Sequence, residues 1–409
     1  MASGAMKLLV IGDACSTHVR KRTSILEGLG ASCTFLSHRS NEEDDKEGVI
    51  VPKFTKHLPW PLSRYRTLFD IASTFHVIRS SRVDFVMVQF AASRLAWLAM
   101  IASRKPLAVV AMGGDVLYEE QADLSAAEAE LTCLTFRAAD VVFAKSPYLA
   151  EKLQEMGVEA QRINVCLWGV DPSNFNQNKV EGKILYKDYS LPESAIFVLS
   201  PRILQPLYNI DKIIMAMSVV IKNNDNVHLL VAEYHADEKY KEHLINLIEN
   251  LNLQKYVHFI GSQSTDDMAR LYKQVKISVS IPPSDGMPMT VLEAMACGVP
   301  NIVSDLPHYR SLLKNNDNVL YASEGARGLA NSILRLLSDD EMFNRLRLNG
   351  LKFIREQATL PQEAQKVMNV MLQLLASNPS GRKPICWRGI RLFFATIWPA
   401  MTPKKLLKR

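Results

Sequence analysis

The sequence of 409 residues lacks the features of membrane-spanning and secreted proteins. No run is long and apolar enough to cross a bilayer, because residues 85–103 are interrupted by Gln89 and Arg94. The first apolar run, residues 6–12, has neither the h-region nor the cleavage site of a signal peptide. We therefore expect a cytoplasmic protein.

Metal-binding and redox patterns are also missing. The six cysteines include no C-x-x-C pair, and the nine histidines are scattered along the chain. These cysteines are predicted to be buried thiols in a reducing compartment. No Asp-x-Asp pair stands at the end of a predicted strand, so we expect neither a metal ion nor a cofactor. The first glycine turn, Gly12-Asp-Ala-Cys15, lacks the Gly-x-Gly-x-x-Gly spacing of dinucleotide-binding oxidoreductases.

The positive charge of the chain is concentrated at one end. Residues 380–409 contain eight bases and no acid, while the whole chain has a formal net charge of +6. Without this tail the chain is slightly acidic, which argues against nucleic acid as a partner of the body.

The same tail contains an amphipathic pattern. Large apolar side chains recur at helical spacing beside bases, at Ile390, Phe393, Phe394, Ile397 and Met401. This pattern is typical of a helix that lies on an anionic membrane. Packing on the body of the protein or on a second copy is the alternative.

Strand patterns alternate with helical patterns along most of the chain. Strands are predicted at residues 7–12, 33–36, 84–89, 107–112, 141–144 and 162–165, and then at 196–200, 227–231, 257–260, 275–279 and 301–303. Helices are predicted at 64–79, 94–102, 124–137, 289–297 and 361–375, among others. The alternation indicates two doubly wound α/β domains, in which ligands collect at the carboxyl ends of parallel strands.

The most informative stretch is residues 281–300. A strand pattern ends at a Pro-Pro pair, and a helix is predicted over residues 289–297, capped by Ser284 or Asp285. Backbone N–H groups at the start of this helix would form an anion site. Glu293 lies about two helical turns beyond Asp285 along the chain, so a carboxylate is expected on either side of that site.

This stretch resembles the signature of family 4 of the retaining GT-B glycosyltransferases, in which an acid is followed, after seven residues, by Glu-Ala-Met-Ala-Cys-Gly-x-Pro. Here the two acids are Asp285 and Glu293, with Asp where Glu is commoner. The resemblance covers about residues 6–376 and implies a GT-B fold of two Rossmann-like domains facing each other across a cleft. It also implies transfer of a sugar, with retention, from a nucleotide diphosphate sugar to a hydroxyl.

The resemblance assigns roles to residues of the second domain. Asp285 would hold the hydroxyls of the transferred sugar, and Glu293 the hydroxyls of the ribose. The phosphates would be held by the segment Gly286, Met287, Pro288, Met289 and Thr290. Arg202 matches the family's diphosphate-binding arginine, whose planar fork suits phosphate oxygens. Gly261 and Gln263 stand where the family reads the nucleotide base.

Three further candidates lie in the first domain. Gly12 would let the chain turn close to a ligand. His18, on the first loop, matches positions that contact acceptor or phosphate in the family, and a surface helix residue is the alternative. Asp115 follows Gly113-Gly114 at a strand end. The resemblance places Asp115 beside the acceptor and the transferred sugar, and a helix N-cap is the alternative.

The sequence departs from the family pattern at two places. The family usually has a lysine a few residues after the diphosphate-binding arginine, where this chain has Pro206-Leu-Tyr-Asn209. The segment from Glu233 to Ala236 replaces the family's usual Gly-x-Gly turn, and the sequence suggests no reason for this change.

The domain boundaries are predicted from the segment Leu167-Trp-Gly-Val-Asp171, which resembles the turn that joins the two domains in the family. We predict an N-terminal acceptor domain over 1–170, a linker over 171–195, a nucleotide-sugar domain over 196–358, a helix crossing back over 359–378 and a basic tail over 379–409.

The function implied is transfer of a sugar to a glycan or lipid-linked acceptor in the synthesis of an envelope or surface polysaccharide, with the tail on the inner face of the membrane. Two alternatives share the fold. A nucleotide-sugar epimerase would isomerise the donor without an acceptor. A non-catalytic partner protein would fit the substitution at Asp285 and the missing lysine.

Overall fold

The computed structural model describes residues 5–37, 49–50, 66–118, 124–178, 194–377 and 386–401. The chain divides into two compact units. The first comprises Met1–Leu167 and Glu363–Arg409, and the second comprises Trp168–Gln362. Each unit contains a parallel sheet with helices between successive strands, which confirms the predicted doubly wound α/β class.

The sheet of the first unit, as far as the described residues show it, has seven parallel strands in the order β3-β2-β1-β4-β5-β6-β7. The strands are β1 (Met6–Ile11), β2 (Ala31–Leu36), β3 (Val49–Ile50), β4 (Phe85–Gln89), β5 (Leu107–Ala111), β6 (Val141–Ala144) and β7 (Ile163–Val165). The central strands β4, β5 and β6 are almost wholly apolar because both faces of a parallel sheet are covered.

The helices that follow these strands are α1 (Thr17–Gly28), α2 (Arg66–Ser80), α3 (Arg94–Ala102), α4 (Ala126–Ala138) and α5 (Pro147–Glu155). Helix α3 is apolar all round, and every residue from Leu95 to Ala102 is buried. Helix α3 can be apolar on every side because α2 and α4 both pack against it. Ser93 begins α3 by accepting a hydrogen bond from the N–H of Ala96 at 3.2 Å.

The second unit contains strands β8 (Ile196–Ser200), β9 (Val227–Val231), β10 (Val257–Phe259), β11 (Ile277–Ser280), β12 (Asn301–Val303) and β13 (Leu320–Tyr321). These strands are parallel and lie in the order β10-β9-β8-β11-β12-β13. Strand β8 therefore has β9 on one side and β11 on the other, and the loops after these strands emerge at the same edge of the sheet.

The helices of the second unit are α6 (Ile210–Asn223), α7 (Glu238–Asn250), α8 (Thr265–Tyr272), α9 (Met289–Ala296), α10 (Pro307–Arg310), α11 (Gly325–Ser338) and α12 (Asp340–Gln357). Helix α6 buries Ile210, Ile213, Ile214 and Met217. Their spacing of three and four residues places them on one face, which packs on the sheet core.

Helix α13 (Leu360–Ala376) starts in the second unit and belongs to the first from Glu363 onward. In the first unit, Glu363 Oε1 pairs with Arg22 Nε of α1 at 2.9 Å, and both side chains are buried. Val367 and Met371, one helical turn apart, are buried in the same core as β1. The helix thus completes one face of the first sheet.

Helix α14 (Trp387–Met401) packs against α3 and α4 with one face. Phe393 is only 2% exposed, and Gly389 lies so close to Met100 that an added Cβ would be 3.0 Å from its Cε. The opposite face exposes Trp387 and Phe394, which lie two turns apart. Packing on the body, the alternative from the sequence, is therefore correct for one face. Phe393 and Phe394 are about 100° apart around the helix, so one edge of the predicted apolar stripe is packed on the body and the other edge is exposed.

No helix in the described part of the chain has both the length and the hydropathy that a membrane span requires. The predicted strands agree with the observed ones to within two residues, and only β3 and β13, of two residues each, were not predicted. Parts of the predicted linker and tail, residues 179–193, 378–385 and 402–409, lie outside the described residues.

The boundary between the units lies between Leu167 and Trp168, three residues before the predicted one. Residues 171–178, predicted as linker, instead pack on the second unit. The Phe175 side chain is buried against the ring of Tyr272, with 6.2 Å between centroids. Burial of an aromatic ring of this size is favourable in free energy, so the segment packs on the unit and is not an exposed linker.

Gly169 lies directly against the backbone at the start of α13. A Cβ at position 169 would lie 2.3 Å from the backbone of Leu360, a distance that real Cβ atoms do not show. Because the obstacle is backbone, Gly169→Ala should lower the free energy of unfolding by about 1–3 kcal/mol. Gly28→Ala is the matched control, since no atom lies within 4 Å of the added Cβ. Urea denaturation followed by circular dichroism measures both, and equal midpoints would contradict the packing described.

Candidate active site

A buried ion pair joins the loops after two neighbouring strands of the second unit. Arg202 follows β8, Asp285 follows β11, and Arg202 Nη2 lies 2.8 Å from Asp285 Oδ2. The two side chains are only 10% and 13% exposed. The sequence predicted both residues for the site, and the structure brings them into direct contact.

Two tyrosines hold this pair in place. The Tyr309 hydroxyl donates to Asp285 Oδ2 at 3.1 Å, and the Arg202 guanidinium lies 4.3 Å from the centroid of the Tyr208 ring. Burial acts to lower the pKa of Arg202, but Asp285 and the tyrosines raise it above its usual value, so the charge is retained. Burial and Asp285 raise the pKa of Tyr309 well above its usual range, so its hydroxyl remains a donor.

Tyr208 also accounts for the place where the sequence departs from the family pattern. A short 3-10 turn, Pro206–Tyr208, occupies the position of the family's lysine and puts an aromatic ring under Arg202. The next residue, Asn209, has φ of 51°, and its side-chain N–H group donates to the carbonyl of Ile281 at 2.8 Å. This bond ties the loop after β8 to the end of β11.

Helix α9 begins beside the ion pair. Its N-cap is Pro288, and no side chain caps it, so the predicted capping by Ser284 or Asp285 is wrong. Asp285 lies three residues before this N-cap, and its Oδ2 bonds to Arg202 and Tyr309 instead. Gly286, Met287 and Pro288 are buried, while Met289 and Thr290 at the helix start are half-buried. Arg202 Nη1 reaches Thr290 Oγ1 at 3.5 Å.

Glu293 stands in the second turn of α9 and is 8% exposed. The hydroxyl of Tyr272 donates to the carbonyl of Thr290 at 3.0 Å. Burial, and then the charge of Glu293, raise the pKa of Tyr272 well above its usual range. The ribose-binding role of Glu293 stays a prediction.

The loop after β10 carries the predicted base-binding residues. Gly261 has φ of 72°, and its N–H donates to Glu233 Oε2 at 2.8 Å. The side-chain amide of Gln263 bonds to the carbonyl of Ile260 in its own loop. Glu233, at the end of β9, also pairs with Lys241. Glu233 is a site residue that the sequence did not identify, although an acid in place of a glycine at a strand end was a signal.

Asp115 of the first unit is held by backbone N–H groups, and its predicted role beside the acceptor and the transferred sugar stays a prediction. The residue is 0% exposed. Its Oδ2 accepts the N–H of Ala91 at 2.8 Å, and its Oδ1 accepts those of Met112 and Gly113 at 2.8 and 3.1 Å. Burial raises its pKa despite these donors. Asp115 therefore fastens the loops after β4 and β5 together, and the N–H groups that it accepts in these bonds precede it in the chain, so the N-cap alternative is wrong.

The other first-unit candidates are placed as follows. Gly12 follows β1, and an added Cβ would lie 3.0 Å from Gln89 Cβ, so the strand packing leaves little room for a larger residue. His18 lies in α1, and its side chain is outside the described residues. Lys145, after β6, was not predicted as a site residue; it is 1% exposed, and burial lowers its pKa well below the usual value. Within the described ranges, no group of three or more His, Cys, Asp or Glu could hold a metal ion.

Two family models match this chain. The model of "Glycosyl transferases group 1" matches residues 184–353, and that of "Glycosyltransferase Family 4" matches residues 16–174. The chain belongs to the group 1 and family 4 glycosyltransferases. Its fold is accordingly GT-B, as the sequence predicted.

Individual relatives of this glycosyltransferase are distant. The N-acetyl-alpha-D-glucosaminyl L-malate synthase of Bacillus anthracis is 22% identical over 48% of this chain and 51% of its own. The UDP-Gal:alpha-D-GlcNAc-diphosphoundecaprenol alpha-1,3-galactosyltransferase of Escherichia coli is 25% identical over 55% of this chain and 58% of its own. The matches thus span little more than half of these relatives.

A solved structure is similar over a longer range. Anabaena Alr3699/HepE in complex with UDP and glucose superposes with a TM-score of 0.76 and 16% identity, covering 90% of this chain and 100% of that chain. At this identity the likeness establishes the fold alone.

The buried Arg202–Asp285 pair generates a stability prediction. Asp285→Asn would leave Arg202 charged and buried without its partner, which should destabilise the second unit by about 3 kcal/mol or more. Hydrogen exchange of the β8 and β11 amides measures this local free energy. Asp305→Asn is the matched control, because its bidentate pair with Arg310 is exposed and its loss should leave exchange unchanged. Equal protection in the two variants would contradict the account.

Proposed function

We propose that the protein transfers a sugar, with retention, from a nucleotide diphosphate sugar to a hydroxyl of a glycan or lipid-linked acceptor. The observation that carries the proposal is the buried Arg202–Asp285 pair at neighbouring strand ends, next to the start of α9. Membership of the glycosyltransferase family supports the reaction class.

In this proposal the second unit binds the donor through its diphosphate. Arg202 is charged, buried and held by Tyr208, so its guanidinium is preorganised for phosphate oxygens. Backbone N–H groups at the start of α9 would bind the same oxygens, because a helix N-terminus favours an anion. Arg202 already reaches Thr290 in that first turn, so both groups converge on one place.

The two carboxylates would position the rest of the donor. Both contacts of Asp285 fall on Oδ2, and its other oxygen would accept hydroxyls of the transferred sugar. Glu293, in the second turn of α9, would accept the ribose hydroxyls. Fixed carboxylates of this kind contribute by orientation, which lowers the entropy cost of reaching the transition state.

The chemical step proposed is a front-face displacement. The bond between the anomeric carbon and the diphosphate oxygen breaks, and the acceptor oxygen bonds to the same face of that carbon. The acceptor proton passes to the departing phosphate oxygen. Arg202 and the α9 amides would stabilise the charge that develops on the diphosphate, and the proposal includes no metal ion.

The acceptor is proposed from the relatives and from α14. The Escherichia coli relative is named for a diphosphoundecaprenol-linked acceptor, and such acceptors reside in membranes. The outer face of α14 exposes Trp387, Arg391 and Phe394, which combine apolar rings with a base. Arg388 on the same side pairs with Glu130 of α4 at 2.8 Å, which helps to fix the helix. We propose that this face and the basic residues after it contact an anionic membrane.

Substitution of Arg202 tests the donor site. Arg202→Lys keeps the charge but loses the planar fork, and we expect kcat/KM to fall by about 100-fold or more. Lys212→Ala is the control, because Lys212 is an exposed base on α6 and its loss should leave turnover unchanged. Donor turnover is measured by release of nucleoside diphosphate, and NMR of the product should show the donor's anomeric configuration. Inversion, turnover without an acceptor, or full activity in Arg202→Lys would contradict the proposal.

Substitution on the outer face of α14 tests the membrane contact. Removal of the whole tail is not a clean test, since Phe393 belongs to the core of the first unit. The double variant Trp387→Ala/Phe394→Ala should reduce cosedimentation with phosphatidylglycerol vesicles several-fold, because it removes the exposed rings. Leu348→Ala on α12, 58% exposed, is the control. Equal binding of both variants, or equal binding of the wild type to neutral phosphatidylcholine vesicles, would contradict an anionic membrane contact through α14.

A further inference from the structure

The loop after β9, residues 232–237, lies between the two loops that carry Arg202 and Gly261. Strand β9 has β8 on one side and β10 on the other. The N–H of Ala232 donates to the carbonyl of Ser200 at 3.1 Å, and the N–H of Glu233 donates to the carbonyl of Gly261 at 3.1 Å. Adjacent strands are about 4.8 Å apart, so this loop spans the gap of roughly 10 Å from the β8 loop to the β10 loop.

The loop is fixed on both sides. Towards β10, the Glu233 carboxylate accepts the N–H of Gly261 at 2.8 Å and also pairs with Lys241. Towards β8, the N–H of Leu204 donates to the carbonyl of Tyr234 at 3.3 Å, and the N–H of Asp237 donates to the carbonyl of Leu204 at 2.9 Å. The backbone of Tyr234 is thus held where the loops meet.

This loop carries two exposed aromatic side chains, Tyr234 and His235. Tyr234 is 50% exposed, and its ring lies edge-on to that of His235, with 68° between the ring planes and 4.3 Å between centroids. His235 has φ of 46°, in the left-handed region that glycine usually occupies. A strained residue beside a large exposed ring is more typical of a binding site than of an inert surface loop.

We propose that Tyr234, supported by His235, is the stacking platform for the nucleobase of the donor, and this rests on the proposed function. With the diphosphate at Arg202, the nucleoside would extend along the strand ends, past the loop after β9, towards Gly261 and Gln263. Every nucleobase has an apolar π-face, and an open ring held by a fixed backbone suits that face. Here an acid and two aromatic residues, Glu233-Tyr234-His235, fill the place of the Gly-x-Gly turn that the family usually carries.

This assignment gives separate tasks to the two ends of the nucleotide site. Arg202 would bind the phosphates of any donor, whereas Tyr234 would add affinity only for ligands that contain a base. Inorganic pyrophosphate and a nucleoside diphosphate therefore distinguish the two contributions.

The test measures Kd by isothermal titration calorimetry for the nucleoside diphosphate that the wild type binds best among those of uridine, guanosine, adenosine, cytidine and thymidine, and for pyrophosphate. Tyr234→Ala should raise Kd for the nucleoside diphosphate about 5- to 100-fold, as loss of one base–aromatic stack would. Kd for pyrophosphate should stay unchanged. Tyr234→Phe should keep the wild-type affinity, because stacking needs the ring and not the hydroxyl.

Two further variants serve as a test of the supporting ring and as a control. His235→Gly retains the left-handed backbone and removes only the supporting ring, so a smaller loss of nucleoside diphosphate affinity is expected. Ile245→Ala removes another exposed apolar side chain, on α7, and should change neither Kd. Unchanged nucleotide affinity in Tyr234→Ala, with the Arg202→Lys defect still present, would overturn the platform and leave the proposed function standing. Failure of the wild type to bind any nucleoside diphosphate would overturn both.

Discussion

The contact between Arg202 and Asp285 is the constraint on which the rest of the site depends. Two opposite charges can be buried only if each is paired and hydrogen-bonded. Here Asp285 also accepts a hydrogen bond from Tyr309, and Arg202 lies on the ring of Tyr208, which belongs to a short turn. The carboxyl ends of β8 and β11 must therefore be neighbours. A doubly wound sheet meets this requirement, because residues 83 positions apart in the sequence reach the same edge.

The same logic explains why the second unit carries its polar groups at one edge. The strands of this sheet contain no Lys, Arg, Asp or Glu, since helices cover both faces, so these charged residues are placed where strands end. Arg202 and Asp285 follow β8 and β11, while Glu233 and Gly261 follow β9 and β10. Polar groups from four strands are thereby collected without charge in the interior of the sheet.

In the first unit, buried ionisable side chains hold loops and helices together. Asp115 accepts three backbone N–H groups and has no exposed surface, so it fixes the loops after β4 and β5. Arg22 and Glu363 similarly hold α13 against α1. Helix α14 covers α3 with one face and leaves an aromatic and basic face open, so one segment can both stabilise the unit and offer a surface to a partner.

Most of the fold could be predicted because buried parallel strands are short, continuous apolar runs. Strands such as β8 and β12 were located to the residue, whereas the two-residue strands β3 and β13 carry too little pattern. Asp285 and Arg202 could be predicted as site residues from the family pattern, whereas their contact with each other was not predicted.

The contacts around those two residues could not be predicted. The partners Tyr208 and Tyr309 depend on side-chain directions that sequence spacing does not fix. The burial of Asp115 could not be predicted either, because the loop after β4, which donates the N–H of Ala91 to it, is distant in the sequence.

A crystal structure of the wild-type protein with a bound nucleoside diphosphate tests the central claim most directly. The account predicts phosphate oxygens within hydrogen-bond distance of the Arg202 guanidinium and of the first N–H groups of α9. Phosphates bound at another place, with Arg202 contacting only Asp285 and Tyr208, would contradict it.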